Sequence, residues 1–258
     1  MLKKNLNFII CIVSVLVVII ALVLFYIFKL VTGDETFDML ISGIVPRAVV
    51  GVVSLILLCL SGLKRILIPD LKRFGKNIVW CIPCIFVVIA NFPITALTSG
   101  GASIVRTDLI WLFAIDCLCV GLMEEALFRG VVHWSVMSFL RKKKYQNALT
   151  VLITSALFGL FHLFNLFSGA SIGATFMQVG YSFLIGAMLS AVMIKTQSLW
   201  FCTALHALFN FGGNVVFYLG HGEFQDVYFW VFTAVAGVIC CVHILYFLFK
   251  GSTVERTI

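Results

Sequence analysis

Apolar runs of about twenty residues recur along this chain, and that is the length a helix needs to cross the hydrocarbon core of a bilayer. Eight stretches stand out, at 6–31, 39–63, 77–97, 108–139, 147–167, 174–194, 198–219 and 228–249. Backbone N–H and C=O groups find no water in lipid, so such segments pair them internally, as helices. The expected fold is all-α, a polytopic membrane bundle of about eight transmembrane helices. Composition agrees: 62% of residues are apolar and 11% charged, against about 45–50% and about 25% in soluble domains. That balance excludes a water-soluble globular enzyme and a disordered or fibrous chain. No second domain, low-complexity segment or fixed-period repeat interrupts the pattern, so residues 1–258 read as one integral-membrane domain. The loops are short, and the longest cytoplasmic one, 64–76, reads as an interfacial helix. Function therefore has to sit in or beside the helices.

Charge orients the bundle. Fourteen of the eighteen basic residues fall at one end of the expected helices: Lys3, Lys4, Lys64, Arg65, Lys72, Arg73, Lys76, Arg141 to Lys144, Lys195, Lys250 and Arg256. The opposite end holds Lys29 and Arg106 among the acids Asp34, Glu35, Asp38, Asp108, Glu223 and Asp226. The positive-inside rule puts the basic end, and with eight spans both termini, in the cytoplasm. The net charge of +7 is then an insertion signal plus attraction to lipid headgroups, with no nucleic-acid partner implied. The first run follows Lys3 and Lys4 as a signal peptide would. It is too long for an h-region, however, and no small-residue cleavage site follows, so it reads as an uncleaved anchor. Most of the nine cysteines lie inside apolar runs and behave as small hydrophobes. Cys81 and Cys84 form one isolated C-x-x-C in an apolar stretch, too little for a redox or metal site.

Ionisable groups inside a bilayer are costly, and each is a candidate for function. The fourth span carries Glu124-Glu125-Ala126-Leu127-Phe128-Arg129. Glu125 and Arg129 are four apart with the acid N-terminal, the favourable order for an ion pair. Glu124 points about 100° away, outside that pair. The fifth span has Phe158 and His162, the seventh His206 and Asn210, each pair four apart on one helix face. Taken singly, each histidine fits interhelical hydrogen bonding as well as catalysis. Counting inward along straight helices from the cytoplasmic ends places Glu124 at about 24 Å, His162 at about 21 Å and Asn210 at about 20 Å, with His206 shallower at about 14 Å. A shared site is geometrically possible.

Three motifs on three spans, E-E-x-x-x-R, F-x-x-x-H and H-x-x-x-N, resemble the CPBP family, the CAAX proteases and bacteriocin-processing (Abi) enzymes. The resemblance covers about 108–215 and shows no departure at a motif position. It implies an intramembrane glutamate endopeptidase acting on a membrane-associated peptide or protein. Glu124 would be the general base on a water held with His162, and His206 with Asn210 the oxyanion hole. Glu125, Arg129 and Phe158 would support them. No serine or cysteine lies in the motifs, so direct attack by water fits better than an acyl-enzyme. Glu124, His162 and His206 are also a legitimate zinc-ligand set. The missing H-E-x-x-H and the position of Asn210 favour the reading without a cofactor. Two other readings stay open, a catalytically idle bacteriocin-immunity or regulatory scaffold and a proton-coupled transporter. Substrates are prenylated C-termini in the CAAX branch and unprenylated peptides or membrane proteins in bacterial members, and the short loops point to a bacterial cell membrane.

Other polar positions read as secondary. Asp116, two turns from Glu124 on nearly the same face, reads as a supporting group or the mark of a wet cavity. Arg47 and Asn91 read as packing or snorkelling residues. His133, four residues after Arg129, reads as its support or as an interfacial residue. His221 belongs to an external loop and His243 to packing. Gly212, Gly213 and Asn214 read as a place of close helix contact or a local break.

Overall fold

A computed structural model of the protein describes residues 29–68, 74–141 and 143–251, with isolated positions between 12 and 27. The expected first span, 6–31, lies mostly outside the described residues. The rest is nearly all helix. Asp34 caps the first described helix, α1 (Glu35–Leu60), by accepting from the Phe37 N–H at 3.1 Å. Helix α2 (Phe74–Ala90) ends at a break before Pro93 and resumes as the short α3 (Ile94–Ser99). The expected fourth span is helical from Ile110 to Phe139 but is not one α-helix. It comprises α4 (Ile110–Glu125), a π-helical segment (Ala126–Val132) and α5 (His133–Phe139). Then follow α6 (Gln146–Phe161) with a 3-10 turn (His162–Leu166), α7 (Ile172–Thr196), α8 (Leu199–Leu219) and α9 (Val227–Tyr246).

Six of these helical stretches are long and apolar enough to cross a membrane: Glu35–Leu60, Ile78–Ser99, Gln146–Leu166, Ile172–Thr196, Leu199–Leu219 and Val227–Phe249. The chain is thus an all-α integral-membrane protein. In the 64–76 segment, the described residues form a 3-10 turn at Lys64–Leu67 and the start of α2 at Phe74, and the interfacial helix expected there otherwise falls outside the described residues.

Contacts identify the two ends of the bundle. At one, Trp200 Nε1 donates to the Leu67 carbonyl at 2.8 Å, and Lys195 Nζ lies 4.8 Å from the Trp80 ring centroid and 5.6 Å from that of Phe247. This end gathers Lys64, Arg65 and Lys195 at the helix ends. At the other, β1 (Ala102–Ile104) and β2 (Gly220–Gly222) pair antiparallel, Ser103 opposite His221. Gly222 has φ 100°, and a β-carbon there would overlap the Gly101 carbonyl, so only glycine fits. Arg106 binds Asp34 through two parallel bonds of 2.7 and 3.0 Å and reaches Asp108 at 2.9 Å. Those bonds hold the Asp34 carboxyl down at about 2.

The interior differs between the ends. Toward the basic end a large cluster that includes Leu58, Cys84, Val151, Leu189, Val192 and Cys202 is buried, each of these at 4% exposure or less. Toward the other, a smaller cluster around Phe113, Val216 and Leu219 occupies one side only.

Candidate active site

Helices α4 and α8 carry the key side chains and lie unusually close. A β-carbon on Gly121 would meet the Thr203 carbonyl at 3.0 Å and the Ala207 nitrogen at 3.2 Å. That approach, one turn before the glutamates, brings His206 onto them. His206 Nδ1 sits 2.7 Å from Glu125 Oε1, and its Nε2 sits 3.6 Å from Glu124 Oε2. The same Glu125 oxygen lies 2.9 Å from Arg129 Nη1, with both side chains sealed at 0% and 1% exposure. The expected Glu125–Arg129 pair is therefore present, but it spans the start of the π-helical segment. A π-turn admits an extra residue per turn, occurs mostly as single insertions, and is frequent at functional sites.

Straight-helix counting puts His206 about 10 Å shallower than Glu124; in the structure the two are neighbours. Two physical reasons apply. The wide π-turn advances less along the axis than the same residues in α-helix, and helices counted from different loops do not start at one level.

Phe158 is the plate on which the site is built. Arg129 Cζ stacks 4.4 Å from its ring centroid, and the His162 and His206 rings stand on it edge to face, at 5.0 and 5.9 Å. Gly186 on α7 leaves the room: its β-carbon would come within 3.0 Å of Phe158 and 3.4 Å of Arg129. His162 Nδ1 is 2.9 Å from the Phe158 carbonyl. A carbonyl only accepts, so Nδ1 carries the proton, and the Nε2 of the neutral ring keeps its lone pair.

Glu124, His162, His206 and Asn210 all line one cavity of about 880 Å³. Phe158 lines it as well; Glu125 and Arg129 lie behind the wall. The Glu124 carboxylate is largely buried, at 14% exposure, and its Oε2 has no hydrogen-bond partner. The structure thus brings together all seven residues singled out in the sequence, five on the cavity surface and two, Glu125 and Arg129, behind it.

The cavity also gathers residues that sequence reasoning placed elsewhere or passed over. Arg47 forms an ion pair with Asp116, and both line the cavity, so Arg47 is a cavity residue rather than a snorkelling one. Two opposite charges in two apolar spans were the available signal. Gln178, Tyr181 and Ser182 line the wall from α7; their three- and four-residue spacing marks one face of that helix. Asn91 donates to the Phe209 carbonyl at 2.8 Å, a packing bond, and a β-carbon on Gly213 would press on its amide, which bears out the expected close contact. His133 is fully buried against Trp134 behind Arg129, not interfacial. His243 packs near Trp80, and His221 bonds Ser103 Oγ at 2.7 Å in the β1–β2 pair.

Among the described residues no three His, Cys, Asp or Glu are grouped so as to hold a metal ion, while Glu124 Oε2 and His206 Nε2 lie 3.6 Å apart on the cavity side.

Fold and site together define a class: a polytopic helical membrane protein whose acid–base groups converge on a cavity within the bundle, the equipment of an intramembrane hydrolase. Residues 106–212 match the family described as Rce1-like, type II CAAX prenyl endopeptidase Rce1-like. That segment, which contains all three motifs, is similar to this family, and the match supports a CAAX-type intramembrane endopeptidase of the CPBP group. Neither a curated protein nor a solved structure matches the chain.

Proposed function

We propose that the cavity hydrolyses a peptide bond with a water molecule activated by Glu124 and oriented by His162. The water oxygen adds to the carbonyl carbon while its proton passes to Glu124. The carbonyl π electrons move onto oxygen, where the Asn210 amide and the His206 ring donate hydrogen bonds. When the C–N bond breaks, Glu124 returns the proton to the leaving nitrogen. His206 Nδ1 already donates to Glu125, so donation from Nε2 requires the imidazolium. With it, the charges of Glu124, Glu125, Arg129 and His206 sum to zero inside the bundle. Glu125 and Arg129 are positioning residues that fix the His206 ring.

The observation that carries this reading is the placement of Glu124, His162, His206 and Asn210 on one cavity, with Glu125 holding His206 at 2.7 Å. This reading assigns no metal a role. The substrate is a membrane-associated peptide or protein, and prenylated C-terminal peptides, which the family description names, are the first to try.

The test is cleavage of a quenched peptide library, including farnesylated C-terminal peptides, by purified protein in detergent, beside Glu124→Gln and with or without a strong chelator. The expected result is turnover that survives chelation and falls about 10²–10⁴-fold in the variant. Wild-type turnover by Glu124→Gln overturns the base assignment. Loss on chelation with rescue by zinc overturns the metal-free mechanism.

A further inference from the structure

The cavity wall holds an ion pair that the hydrolytic mechanism leaves unused. Arg47 on α1 pairs with Asp116 on α4. Charges inside a bundle are costly and call for a function. The pair behind the wall, Glu125 with Arg129, is sealed, at 0% and 1% side-chain exposure. Arg47 keeps 23% and Asp116 7%, and both line the cavity. A pair that only joined α1 to α4 has no need of that open face. Gly43, one turn before Arg47, gives the guanidinium its place: a β-carbon there would meet Arg47 Nη1 at 2.5 Å and Asp116 Oδ1 at 3.2 Å. A guanidinium carries five N–H donors in a planar fork, more than one carboxylate uses, and its matching partner is a carboxylate.

Helix α4 joins this pair to the catalytic base. Phe113, Asp116, Cys117, Val120, Met123 and Glu124 all line the cavity, and their spacings of three and one make a single stripe along the helix. Asp116 and Glu124 are eight residues apart, about 12 Å along the axis. A helical peptide 10 Å wide and 12 Å long would fill about 940 Å³, more than the 880 Å³ of the whole cavity. A segment bound there is therefore extended, and at about 3.3–3.6 Å per residue it covers the distance in three or four residues. Cys117, Val120 and Met123 suit apolar side chains between the two ends. Charge agrees. Lys29, Arg47, Asp116 and Glu124 line the cavity, and with the His206 imidazolium they sum to +1, which one incoming carboxylate neutralises.

We infer that Arg47 binds the free C-terminal carboxylate of the substrate, so that the bond presented to Glu124 lies three or four residues from the chain end. The inference rests on the proteolytic reading above and adds the residue that reads the chain end. Asp116 is a positioning residue that holds the guanidinium against α4.

Capture tests this without turnover. The full chain carrying Glu124→Gln, immobilised in detergent, is offered a library of short peptides, farnesylated and unmodified, made once as free acids and once as C-terminal amides. Retained peptides are counted by mass spectrometry. Acids are expected to be enriched over the matching amides about 10–100-fold, the strength of hydrogen bonds to a charged group. Adding Arg47→Gln/Asp116→Asn, which removes both charges together and strands neither, is expected to abolish that preference and leave amide retention unchanged. Adding Arg47→Lys instead, which keeps the charge and loses the fork, is expected to retain part of it. Equal retention of acids and amides, or retention of neither, overturns the inference. So does a preference that survives the double substitution. Amides ending in Asp or Glu that are held as well as the acids overturn it too, because a side-chain carboxylate then serves equally. Thermal unfolding of each variant in detergent checks that it is folded. Since capture needs no hydrolysis, a Glu124 that is not the base would fail the peptide assay and leave this result unchanged.

Discussion

The two halves of this bundle are built from the same helices and the same kinds of residue, yet they differ in kind. Toward the basic loops, α2, α6, α7, α8 and α9 pack Val, Leu, Met, Ala and Cys side chains into a buried cluster. Toward the Asp34–Arg106 end the helices leave about 880 Å³ between them, bordered by an ion pair, two histidines and three aromatic rings from the end of α6. The boundary is the layer of Glu125, Arg129, Phe158 and His206. There a π-turn and two close glycine contacts, at Gly121 and Gly186, compress the helices around buried charge. In lipid no hydrophobic force drives helices together, so the buried half holds by packing and small-residue contacts. That rigidity lets the other half keep polar groups apart and facing a cavity.

The boundary layer is where the comparison breaks most sharply. Arg129→Ala strands the Glu125 carboxylate in a sealed site and is expected to cost about 3–5 kcal/mol, with loss of activity, both read from detergent unfolding and peptide turnover. On the cavity side, Asn210→Ala is expected to lower kcat by about 10²–10³-fold, the effect of removing an oxyanion donor, while thermal stability stays at the wild-type value. The buried half should behave in the opposite way. Leu189→Ala is expected to destabilise by about 2 kcal/mol, the low end for such truncations because the transfer contribution is missing in lipid. The kcat of the folded fraction should stay unchanged.

The smallest effect concerns the Asp34–Arg106 end. The Asp34 carboxyl is held at about 2 by Arg106, below its value of about 3.9 in an unfolded chain. The folded state therefore binds the proton less readily than the unfolded one. This stabilisation is fully present above about pH 4 and is lost as pH falls toward about 2. Arg106→Ala is expected to remove that part of the acid dependence, seen by comparing unfolding midpoints across that window. The group is exposed, so the change is small.

Much of the candidate site is legible in the sequence because charge inside an apolar run has few explanations. Glu124, Glu125, Arg129, His162, His206 and Asn210 stand out for that reason alone, and the i,i+4 spacings put each pair on one face. Arg47 and Asp116 carry the same signal but sit 69 residues apart, and nothing local says that they meet. Gln178, Tyr181 and Ser182 are neutral and look like ordinary polar residues of a helix.

What the chain settles by itself is its solvent and its helices: its apolar runs of about twenty residues are too long and too poor in charge for any other environment, and backbone hydrogen bonding in lipid leaves helix as their form. Tertiary structure decided where the helices touch. The contact at Gly121, the π-turn after Glu125 and the Phe158 plate set His206 on two carboxylates, and they depend on distances between segments some 30 to 85 residues apart. Periodicity shows which face a residue occupies; only packing shows how far along the helix axis that face meets its neighbour.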